Sequence, residues 1–142
     1  MDQNAELLRS VHGAARMGIE AIELLIDKAE DDGIRQEMLN ELKSYKQSEQ
    51  EALDYLHEAG AKPKAQNPLS RAGTWMGIQM DTLMDQSASH LADMLIQGST
   101  MGVIELIRAR STCPEASEQA HSLAERFLEN EDASIDRLKK FL

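Results

Sequence analysis

One cysteine, three prolines and an aromatic content of 4% are what this 142-residue chain has least of, and each scarcity removes a class of protein. Cys113 has no second cysteine to pair with, so no internal disulfide forms and a reducing, cytoplasmic setting is the natural expectation. With few aromatic residues the core falls to Leu, Ile, Met and Ala, a palette that suits helices better than sheets. Long apolar runs are missing too. No stretch approaches the roughly 18 apolar residues of a membrane span, and Met1-Asp2-Gln3-Asn4-Ala5-Glu6 puts no basic region ahead of an apolar one. Neither membrane insertion nor secretion is expected. Basic surface is equally scarce: at a formal charge of −10, with Lys and Arg nowhere denser than the pair Lys139-Lys140, the chain lacks a phosphate-tracking face, and nucleic acid is not an expected partner.

What remains is a globular balance of 42% apolar and 28% charged residues over a length suited to one domain, residues 1–142, with one continuous core. Apolar spacing predicts a first helix over residues 3–30, with Leu8, Val11, Ala15, Gly18, Ile22, Leu25 and Ala29 stepping by threes and fours along one stripe. Asp31-Asp32-Gly33 breaks it, Asp32 being the expected cap of a second helix over 34–59. There Ile34, Met38, Leu42, Tyr45, Ala52, Leu53 and Leu56 share a face. Gly60 suits the left-handed position after a helix end, and Pro63 follows. Asn67-Pro68 then reads as a cap and first helical residue. Periodicity continues over 68–110 through Met76, Met80, Leu83, Met84, Leu91, Met94, Leu95, Gly98 and Met101. So long a helix would overshoot its partners, and a break between about 73 and 87 is expected, leaving a helical crossover and a third helix. After Thr112-Cys113-Pro114 a fourth helix is predicted over 114–142, with proline at its first position and Ala120, Leu123, Phe127, Ser134, Ile135, Leu138 and Phe141 inward. The expected fold is all-α: an antiparallel four-helix bundle of two helical hairpins joined by a long, partly helical crossover. The hairpins echo each other, Ile22-Glu23-Leu24 matching Ile104-Glu105-Leu106, Tyr45 matching Phe127 and Glu49 matching Glu131, as an old duplication would leave them.

Carboxylates within such stripes are the place to look for chemistry, because burying one costs several kcal/mol unless a cation, metal or proton compensates it. Glu49 lies between Tyr45 and Leu53, Glu131 between Phe127 and Ile135, and Glu105 between Met101 and Ala109. With Glu23, Glu49, Glu105 and Glu131 on four helices, the chain resembles the ferritin-like family of carboxylate-bridged metal bundles, in which helices two and four each add a histidine three residues after the glutamate. This sequence has Ala52 and Ser134 there. Counting outward from the turns at about 1.5 Å per residue separates Glu23 from Glu49 by roughly 12 Å, and Glu105 from Glu131 by roughly 15 Å, whereas Glu49 and Glu131 fall at nearly equal depth. A reduced metal site is therefore one reading: Glu49 and Glu131, with Glu105 as a further inward carboxylate and His12 as the nitrogen donor, holding divalent Fe, Mn or Zn. The other is that the carboxylates share a proton, pair with Arg16 or lie at a wet seam, and no cofactor is bound. Met76, Met80 and Met84 read as core, His57 and His90 as surface, and Glu118 and His121 as the opening turns of helix four. Ser, His and Asp form no recognisable nucleophile arrangement.

A second apolar line, Ile78, Ile96, Val103 and Ile107, runs opposite the core stripe of helix three, and Met17 and Leu24 do the same on helix one. A helix apolar on two sides has a second neighbour, and a homodimer is the economical expectation. Two functions stay open: a non-catalytic bundle acting by association with itself or a partner, and a metal-binding or redox protein of the same architecture.

Overall fold

A computed structural model describes residues 2–63, 77, 79 and 83–142. Within them lie four α-helices: α1 over Gln3–Leu25, α2 over Asp32–Glu58, α3 over Ala88–Thr112 and α4 over Glu118–Leu138. Single 3₁₀ turns, Ile26–Lys28 and Lys139–Phe141, prolong α1 and α4. No strand occurs among the described residues. Gly77 and Gln79 are helical and Met84, expected in the core, is exposed, while residues 64–76, 78 and 80–82, including Asn67-Pro68, Met76, Ile78 and Met80, lie outside the described residues.

Each helix starts on a side chain that accepts from a free backbone N–H: Asp2 from Ala5, Asp31 from Ile34, Ser87 from His90 and Ser117 from Ala120, at 2.9 to 3.2 Å. Two expected starts shift accordingly. Asp31 rather than Asp32 caps α2, because the extended conformation needed at the cap falls one residue earlier. Pro114 is not the first residue of α4, since residues 113–117 form a turn first and Ser117, with its hydroxyl, is the better cap. Helix α2 ends as the sequence implies: Gly60 takes φ +70° while its N–H and that of Ala61 donate back to His57 and Leu56.

One apolar cluster draws on all four helices, with Leu8, Val11, Ile19 and Ile22 of α1, Met38 and Leu56 of α2, Leu91 and Leu106 of α3, and Leu123 and Leu138 of α4 buried in it. Helix α1 packs against the three others. Gly18 lets α2 come close: a Cβ there would stand 2.6 Å from the Tyr45 ring. The two hairpin turns sit at opposite ends. At one, Gln3 and Asn4 accept from Glu115 and Ser117; at the other, Gly33 lies against the Phe141 ring. Ion pairs link the helices between, Arg16 to Glu49 at 3.1 Å, Arg137 to Glu37 at 2.7 Å and Arg126 to Glu51 at 3.0 Å. No helix among the described residues is long and apolar enough to cross a membrane.

Candidate carboxyl site in the bundle core

The buried face of α2 runs through Ile34, Met38, Tyr45, Ala52 and Leu56, and two glutamates fall on it as well, Glu37 and Glu41. Glu37 is answered by Arg137 of α4. Glu41 is not. It is 3% exposed, and neither its carboxylate oxygens nor the hydroxyl of Ser134, 2% exposed on the facing side of α4, makes a hydrogen bond of normal geometry, although the hydroxyl is near enough to favour the ionised carboxylate. Native proteins seldom leave buried polar atoms so. Next to them Glu131 of α4, 5% exposed, lies beside the hydroxyls of Tyr45 and of Ser99 from α3. Glu41, Glu131, Tyr45 and Ser134 line a small crevice of about 60 Å³, with Ser44, Asn130 and Arg137 also on its wall. That is space for a few water molecules or an ion.

Charge is expensive here. Burial pushes the Glu41 carboxyl up to about 8; Ser134 offsets this in part, nearby Glu37 and Glu131 add to it, and Arg137 opposes it. Burial likewise raises Glu131 to about 7, against the hydroxyls of Tyr45 and Ser99, which favour its ionised form. The Tyr45 phenol is driven well above its usual range by burial and by both carboxylates. Tyr45 also closes the apolar side of the site, its ring 6.0 Å from that of Phe127.

The residues expected from the sequence are not gathered in one place. Glu131 is in the crevice. Glu49 is half-buried and paired with Arg16, and His12 stands near that pair, its imidazole held below the usual range by burial, which the charge of Glu49 opposes and that of Arg16 reinforces. Glu105, expected inward, is exposed, because by that turn the inner face of α3 has narrowed to Leu106. The equal depth expected for Glu49 and Glu131 does not hold either. Equal distance from the two hairpin turns is not equal depth, because those turns lie at opposite ends, and the residue level with Glu131 is Glu41. Among the described residues no three of His, Cys, Asp and Glu come together to hold an ion by themselves. His121 bonds the Cys113 carbonyl at 3.0 Å, and Cys113 is buried in the core with its thiol pushed up by burial.

On α3, Ile96 packs against the core rather than opposite it, Val103 is half-buried, and Ile107 is exposed together with Ile104. Leu24 of α1 is exposed as well, but it lies near the end away from Gln3 and Glu115, so it shares no patch with the last turns of α3.

Fold and site together define a four-helix bundle carrying a buried pair of carboxyl groups between its second and fourth helices. No known family model, no curated protein and no solved structure matches the chain.

Proposed function

We propose that this chain is a ferritin-like, antiparallel bundle that works in a reducing cytoplasm, without catalysis of its own, by pairing with a second copy of itself. The observation that carries the pairing is the outer side of α3. Ile104 and Ile107, 45% and 49% exposed, stand one turn apart beside half-buried Val103, while Leu106 between them faces the core. Isolated apolar residues are ordinary on a surface, whereas neighbours on successive turns make a seam. Covering the outward half of each isoleucine would contribute about 1 kcal/mol. Glu105 and Arg108, exposed to either side, give opposite charges that a two-fold axis would set across from one another.

The antiparallel arrangement is supported by the ion pairs: going along α2 from Glu37 to Glu51 goes back along α4 from Arg137 to Arg126. A bundle without oxygen chemistry is supported by Ala52 and Ser134, both buried where the ferritin-like pattern carries its histidines. Because Ile104 and Ile107 are exposed, replacing both with Lys should leave helicity unchanged by circular dichroism and halve the mass seen by light scattering. A double variant that keeps the wild-type mass removes the reading.

A further inference from the structure

We infer that the crevice between α2 and α4 binds a single hard divalent cation of the magnesium, calcium or manganese kind, held by the carboxylates of Glu41 and Glu131 and the hydroxyl of Ser134. This goes beyond the pairing of α3 faces and does not depend on it. Two neighbouring groups on different helices point to a ligand. Both oxygens of Glu41 are buried without a hydrogen bond of normal geometry, and so is the Ser134 hydroxyl, which faces Glu41 from a different helix and opens on the same space. A buried group of each kind costs free energy when left unpaired, and one occupant would satisfy both. The space is of the right size for an ion that keeps part of its water shell.

The donor set selects the class of ion. The lining residues offer carboxylate, hydroxyl and amide oxygens, with no His, Cys or Met among them. Oxygen-only sites suit hard cations, and magnesium in particular is commonly held through one or two carboxylates with water completing the shell. Two carboxylates neutralise one divalent charge. The third acid of the neighbourhood, Glu37, is already paired with Arg137 and adds no net charge. This donor set differs from the Fe, Mn or Zn site with a His12 nitrogen that the sequence alone led to expect, sharing with it only Glu131.

The test uses the full chain freed of metal by chelation and titrated with MnCl2, with free Mn(II) followed by electron paramagnetic resonance and MgCl2 as competitor. One Mn(II) should bind per chain, with a dissociation constant at or below about 1 mM. Glu41→Gln and Glu131→Gln should each weaken it about tenfold or more, and Ser134→Ala severalfold, while the exposed Glu105→Gln should leave it unchanged. Wild-type protein should also melt at higher temperature in MgCl2 than in NaCl of equal ionic strength, a readout that needs no variant to fold. No saturable binding below about 10 mM overturns the inference. So does binding that survives both glutamate substitutions at full strength, because a chain of charge −10 collects counterions on its surface.

Discussion

At the scale of single residues, the carboxyl groups of Glu41 and Glu131 set how stability follows pH. Unfolded, both titrate near 4.5; folded, they keep their protons to about 8 and about 7. Between those limits the folded state holds more protons than the unfolded one, so stability is greatest toward the acid end and is lost as pH rises through the folded values. In metal-free buffer the wild-type melting temperature should therefore fall between about pH 5 and pH 8.5, and Glu41→Gln should fall less. Parallel curves for the two proteins would show that Glu41 is not held neutral. Gly18 gives a second prediction. Alanine suits a helix better by about 1 kcal/mol, yet its Cβ would meet three atoms of the Tyr45 ring below 3 Å. Displacing a buried ring should outweigh the propensity, and Gly18→Ala should lower stability by about 1–3 kcal/mol in denaturant titration. An unchanged or raised midpoint would mean that Tyr45 moves freely.

At the scale of elements, most boundaries were legible because they rest on local chemistry. Gly60 can take a positive φ, and Asp and Ser can accept from free N–H groups, wherever the helix then packs. Gly60→Ala, forced to φ +70°, and Ser117→Ala, losing the Ala120 bond, should each cost about 1 kcal/mol without altering the helical content at low temperature. A Ser117→Ala protein as stable as wild type would restore Pro114 as the effective start of α4. The inward face of α2 was less legible. After Tyr45 a stripe can continue by three residues to Ser48 or by four to Glu49, and periodicity allows both. Packing chose Ser48, which is buried, and left Glu49 to Arg16. The same choice put Glu41 inside. Its position one turn before Tyr45 and two after Ile34 was the available signal, but apolar Met38 and Leu42 on either side drew the stripe away from it.

At the scale of the whole molecule, the helical class and the four segments follow from composition and period, whereas the pairing of residues across helices depends on which ends meet. Glu131 is inward as its period implies, but Glu41 rather than Glu49 is its companion, because the two hairpin turns close opposite ends of the bundle. The outer side of α3 was half legible for a similar reason: Ile107 is exposed as expected, but Ile96, on the same line, is drawn onto the core. The narrower seam of Ile104 and Ile107 is what the proposed pairing rests on. Sedimentation equilibrium of the wild-type chain over a range of micromolar concentrations tests that pairing most directly. The account predicts a species of twice the 15.8 kDa chain mass that dissociates on dilution. A single species at the chain mass throughout that range would contradict it.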